Sequence, residues 1–225
     1  MTDRLRLILF DVDGTLVDSQ ASILGAMAAA FAATGQPAPD RAAVLGIVGL
    51  SLDHAMARLA PTATAKAQAD LVAAYKDAFF AQRLAGAAPP ILYPGARETV
   101  ERLAAQPGTL LGVATGKSRR GLDALLESLG MERSFITRQV ADDHPSKPHP
   151  SMILTAMAET GVAAADTVMV GDTSYDMDMA QAAGVAGIGV SWGYHAPAAL
   201  AAARRVIDRF GDLPGAMDAI RKETR

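Results

Sequence analysis

A chain of 225 residues in which 50% of side chains are hydrophobic and 20% charged can bury a sizeable core and is not wholly disordered. Its formal net charge of −3 gives no electrostatic reason to bind nucleic acid or an anionic membrane surface. With no cysteine, disulfides, thiolate metal ligands and a cysteine nucleophile are excluded, which fits a reducing cytosol.

The first element is the apolar run Leu5 to Phe10, short and ended by Asp11, which reads as a buried strand of a parallel sheet. The run is too short for a signal peptide or a membrane span, so a cytoplasmic protein is expected. Ser19 to Thr34 is alanine-rich, free of proline and followed by Gly35, the pattern of a helix with a C-terminal glycine. From Pro37 to Arg83 the signals are all helical: Arg41 to Leu45, Leu52 to Leu59 behind Ser51, and Ala63 to Phe80. No strand is expected in that span. The loop Ala85-Gly86-Ala87-Ala88-Pro89-Pro90, with Tyr93-Pro94-Gly95 after it, is the strongest candidate boundary in the chain.

Beyond it strands and helices alternate. Ala96 to Ala105 is helical, Thr109 to Ala114 a strand, and Ser118 to Leu129 a helix closed by Gly130. Phe135 to Val140 reads as a short strand, Pro150 to Thr160 as a helix, Thr167 to Val170 as a strand and Tyr175 to Ala183 as a helix. Val185 to Val190 is a strand, Ala196 to Ala203 a helix, Arg205 to Asp208 an edge strand and Ala216 to Lys222 the last helix. Repeated strand-then-helix units predict an α/β fold, a doubly wound parallel sheet. The helical span that follows the first strand predicts an inserted α-helical cap at 17–90 over a core made of 1–16 and 91–225.

Four features stand at or just after predicted strand ends, where open α/β sheets bind ligands. They are Asp11 with Asp13, Thr115 with Gly116 and Lys117, Lys147 between Pro145 and Pro148, and Asp172 with Asp176. Carboxylates gathered at one edge repel unless a cation neutralises them, and oxygen ligands without histidine or cysteine point to a hard ion, Mg²⁺. Singly, each feature has a plainer reading: Asp-Gly is a common turn, Thr-Gly and Asp172 suit helix caps, and Lys117 reads as a solvated side chain with no chemistry. Asp142, Asp143 and Asp178 read as surface acids, and His144, His149 and His195 as structural or exposed. Ser191 to Tyr194 reads as a packed loop near the site.

Taken together, Asp11-Val12-Asp13-Gly14-Thr15-Leu16-Val17-Asp18-Ser19, Thr115, Lys147 and Gly171-Asp172-Thr173-Ser174-Tyr175-Asp176 resemble, in order, the four motifs of the haloacid dehalogenase superfamily of phosphohydrolases, with a helical cap inserted after the first motif. The resemblance covers essentially the whole chain. It implies that Asp11 is a nucleophile forming an aspartyl-phosphate, and that Asp13 is the acid and base that protonates the leaving alcohol and then activates water. It further implies Mg²⁺ held by Asp11, the backbone carbonyl of Asp13 and Asp172, with Asp176 orienting the metal's waters or Lys147. Lys147, the Thr115 hydroxyl and the Gly116 N–H would hold the phosphoryl oxygens. Superfamily members that break carbon–halogen bonds lack the acid at Asp13, so phosphate-ester chemistry is implied.

Gly46 to Leu52 falls where relatives form a turn that dips toward the active site. Sugar-phosphate mutases flank that turn with basic residues, whereas this chain has Val48 and Leu52, which ranks a mutase below a phosphatase. The resemblance runs to phosphoglycolate phosphatases, a group its motifs separate poorly from pyrophosphatases, nucleotidases and sugar phosphatases. The expected partner is a small phosphorylated metabolite, the protein itself being a monomer or homodimer, with Arg58, Lys76 and Arg83 as the cap cations that a compact anion could meet. The reading from another class is a non-catalytic phosphate-ligand-binding protein on the same fold; the full set of Asp11, Asp13, Lys147 and Asp172 argues against it. Joints for a moving cap are expected near Thr15 to Gln20 and Ala85 to Pro94.

Overall fold

The computed structural model describes residues 5–85 and 91–223. Its core is a parallel sheet of six strands, β1 (Arg6–Phe10), β4 (Thr109–Thr115), β5 (Thr137–Val140), β6 (Thr167–Gly171), β7 (Ala186–Val190) and β8 (Arg205–Ile207). The order is β5-β4-β1-β6-β7-β8, so the chain winds outward from β1 in both directions. That reversal beside β1 opens a crevice at the carboxyl end of the sheet.

Burial on both faces explains why β1 is apolar from Leu7 to Phe10. Ile8 and Phe10 face one layer, with α5 (Ala96–Ala104), α6 (Arg119–Leu129) and the terminal α9 (Leu213–Glu223). Leu7 and Leu9 face the other, with α7 (Ser151–Thr160) and α8 (Ser174–Ala182). Both faces are covered, so all four side chains are fully buried, each worth about 1.5–3 kcal/mol relative to exposure. The helices answer with stripes at helical spacing, as in Ala96, Thr99, Val100 and Leu103 of α5.

A third apolar cluster lies outside the sheet. It joins α1 (Gln20–Ala33), α2 (Arg41–Leu45), α3 (Leu52–Leu59) and α4 (Ala65–Leu84) around Met27, Phe31, Met56 and Leu71. This helical unit leaves and rejoins the core through a two-stranded antiparallel ribbon, β2 (Val17–Asp18) on β3 (Ile91–Leu92). The ribbon was not expected, because two-residue strands are too short to show alternation. The expected boundary loop lies mostly at 86–90, outside the described residues. Among the described residues no helix is long and apolar enough to cross a membrane.

One expected helix is corrected. Instead of a helix from Ala196 to Ala203, only Pro197–Ala199 forms a single 3₁₀ turn. Leu200 is the buried apolar side chain of the segment, so no stripe rewards a longer helix, and Arg204 N–H already bonds to Gly187 O as the chain enters the sheet edge.

Candidate active site

The first motif leaves β1 at Phe10 and is pinned at once, because Asp11 N–H bonds to Val170 O of β6 at 2.9 Å. The chain then closes a tight loop in which Leu16 and Val17 N–H both bond to Val12 O at 2.9 Å, and Gly14 N–H to Val17 O. Gly14 sits at φ +87°, and a Cβ there would lie 2.3 Å from Asp172 Oδ2. Glycine is required both for the left-handed backbone and for the approach of the second acid. Thr115 ends β4, and Gly171 ends β6 just before Asp172. The four motifs therefore converge on one sheet edge.

At the centre, Lys147 Nζ is 2.9 Å from Asp11 Oδ1 and 2.6 Å from Asp176 Oδ1, with all three side chains buried. A buried ammonium is tolerated because it is doubly paired. Asp176 has its oxygens committed: Oδ1 accepts from Lys147, while Oδ2 accepts from the Thr173 N–H and hydroxyl, completing a capping box at the start of α8. Asp172 accepts from the Thr15 hydroxyl at 2.8 Å and the Tyr194 N–H at 2.8 Å. Asp11 differs. Beyond its ion-pair contact with Lys147, neither of its buried carboxylate oxygens has a hydrogen-bond partner among the described residues.

Burial pushes the Asp11 carboxyl up to about 7; Lys147 opposes the rise, and Asp176 and Asp13 add to it. Asp172 is likewise raised well above the usual carboxylate range, first by burial and then by Asp11 and Asp176, against the bonds from Tyr194 and Thr15. Burial would lower the Lys147 ammonium, but Asp11 and Asp176 outweigh it and hold it above its ordinary value. Asp11, Asp172 and Asp176 each place an oxygen within 4.8 Å of the others. A buried, under-donated carboxylate beside two more acids fits a hard divalent cation by donor chemistry.

Lys117 is corrected. It is not solvated: its Nζ reaches both Asp13 oxygens at 2.8 Å, and it stands over the Phe79 ring of α4 at 5.4 Å. Its partner lies 104 positions away, which no local pattern reveals. Asp142, Asp143, His149 and Asp178 are exposed, as expected, while His144 is tied to Ser151 and Gln139 and His195 to Ser174 N–H. The loop Ser191 to Tyr194 is packed as expected and also supports the site. Trp192 Nε1 donates to Thr15 O, Tyr194 N–H donates to Asp172, and the Tyr194 hydroxyl accepts from Ser19 N–H.

The turn after α2 reaches the core. A Cβ on Gly116 would lie 2.6 Å from Gly49 O and 2.7 Å from Leu50 O, and Ser51 N–H bonds to the Ser146 hydroxyl next to Lys147. Between this turn, α1 and α4 above and the motif residues below lies a cavity of about 440 Å³, floored by Asp11, Asp13, Thr115, Gly116 and Lys117. Of the three cap cations, Lys76 lines the cavity, and Arg58 is spent on the Tyr175 hydroxyl at 2.6 Å. The side chain of Arg83 lies outside the description.

Comparison with known proteins agrees with this geometry. The profile of the family described as "Haloacid dehalogenase-like hydrolase" matches residues 8–190. The chain is 38% identical over 220 residues to "Probable phosphatase IndB" of Dickeya dadantii, covering 96% of this chain and 95% of that protein. It is 33% identical over 215 residues to "Phosphoglycolate phosphatase" of Yersinia pestis, covering 93% and 91%. A crystal structure of a "predicted phosphoglycolate phosphatase" from Haemophilus somnus superposes with a TM-score of 0.82 at 26% identity, covering 94% of this chain and 97% of that one.

Proposed function

This chain belongs to the haloacid dehalogenase-like hydrolase family and is a phosphatase, and from that premise we propose that it hydrolyses small phosphomonoesters through a phosphoryl group carried on Asp11, with Mg²⁺ as its metal. Residues 1–16 and 91–225 serve as the catalytic core and 17–90 as the cap. The protein acts in the cytoplasm as a monomer or homodimer. The observation that carries the reading is Asp11: a buried carboxylate whose ion pair with Lys147 is its one contact with a donor among the described residues' side chains, facing a cavity large enough for an organic phosphate.

Asp11, Asp172 and the backbone carbonyl of Asp13 would hold the ion, with Asp176 positioning Lys147 beside them. Bound there, Mg²⁺ supplies positive charge that offsets the repulsion between a carboxylate and a phosphate dianion. The residues then divide the work. An Asp11 oxygen attacks phosphorus, the bond to the ester oxygen breaks, and Asp13 gives that oxygen a proton. Lys147, the Thr115 hydroxyl and the Gly116 N–H hold the phosphoryl oxygens in line. A water next attacks phosphorus and loses its proton to Asp13, releasing inorganic phosphate and restoring Asp11. Lys117 Nζ, 2.8 Å from both oxygens of Asp13, holds that carboxyl at the floor of the cavity.

A panel of phosphoglycolate, pyrophosphate, nucleoside monophosphates and sugar phosphates, assayed with Mg²⁺ and with chelator, tests the reading. Metal-dependent release of phosphate from monoesters is expected. No turnover across the panel would favour a binding protein, and isomerisation of a sugar phosphate would favour a mutase.

A further inference from the structure

The cavity above Asp11 has an uneven lining. Its buried wall is apolar, built by Ile23 and Met27 of α1, Val48 and Leu50 of the cap turn and the half-buried Phe79 of α4. Apart from Asp11 and Asp13 on the floor, its charged residues are Lys117, which is paired with Asp13, and the exposed Lys76, Asp77 and Arg120. Arg120 lies over the Phe80 ring at 4.5 Å, and Lys76 and Asp77 stand side by side with opposite charges. The Tyr75 hydroxyl adds one polar handle.

A carboxylate carried into that wall would lose water without gaining a partner, a costly exchange. At about 440 Å³ the cavity falls among those of about 300–1,000 Å³ that enclose organic ligands, and it leaves most of its space empty around a two-carbon acid. We infer that the group esterified to the phosphate is apolar and of aromatic-ring size, seated against Val48, Leu50 and Phe79. The inference rests on the phosphatase reading for the floor of the site, and on the cap wall for the choice of substrate.

Binding separates the two. In magnesium buffer, calorimetric titration would compare ethylphosphonate, hexylphosphonate, benzylphosphonate and 3-phosphonopropionate, while turnover would compare ethyl, hexyl and benzyl phosphate with phosphoglycolate, all esters of primary alcohols. Affinity and kcat/KM should rise about fourfold per added buried methylene, and benzyl should exceed the carboxylated ligand by tenfold or more. Phe79→Ala should cut the benzyl and hexyl values at least fivefold and the ethyl values less than twofold. Equal or tighter binding of 3-phosphonopropionate, with esters turning over, overturns the inference and leaves the phosphatase reading standing. Tight binding of benzylphosphonate without turnover of any ester keeps the apolar site and overturns the hydrolase.

Discussion

Asp11 and Asp172 share the first cause of their raised carboxyls, burial, with Asp176 adding to both, and for Asp11 this makes a signed prediction. Asp11 has an ordinary value of 3.8 and about 7 in the fold, so between those pH values the folded protein keeps a proton that the unfolded chain has released. Its contribution to stability therefore falls as pH rises through that window. Without metal, Asp11→Asn should melt several degrees above the parent at pH 8, and the gap should narrow at pH 5, as calorimetry can measure. A gap that ignores pH would contradict the assignment. Lys117 is the residue that sequence reasoning missed, since an isolated lysine is ordinarily solvated and its carboxylate is distant in the chain. If it positions Asp13, Lys117→Met should lower kcat/KM about tenfold while Lys117→Arg retains most of it, with far-UV circular dichroism unchanged.

At the scale of elements, the strands that carry Asp11, Thr115 and Asp172 were legible because each is a short apolar run ended by polar residues or glycine, and each ends within a residue or so of its expected position. The ribbon of β2 and β3 was not, and Ala196 to Ala203 was overread because alanine favours helix locally while the segment has no face to bury. The cap turn was placed near the site on resemblance alone; its seating depends on the backbone of Gly49 and Leu50 meeting the missing side chain of Gly116. Gly116→Ala should therefore hold the turn off the core and lower kcat by tenfold or more, with a shift in melting temperature of only a few degrees. Parent-like kinetics would show that the turn need not seat there. Thr173→Ala removes one half of the capping box and a donor to Asp176, and should cost about 1 kcal/mol in urea unfolding.

For the whole molecule, the division of labour follows from connectivity. The core sheet gathers the charged residues, while the helices inserted after the first motif supply the apolar wall of the cavity, so the insertion brings both halves of the site together across one ribbon. The chemistry was readable from motif order because Asp11, Thr115 and Asp172 each end or directly follow a strand, with Lys147 in the loop between β5 and α7. The wall was not, because it is made by side chains from α1, the cap turn and α4 that meet only in three dimensions. The most direct test of the account is rapid acid quench of the Mg²⁺-loaded enzyme during turnover of an active phosphate ester, followed by peptide mass mapping. One phosphoryl group on Asp11, absent in Asp11→Asn, is the expected result. Steady turnover with no phosphorylated peptide, or with the phosphoryl group on another residue, would contradict it.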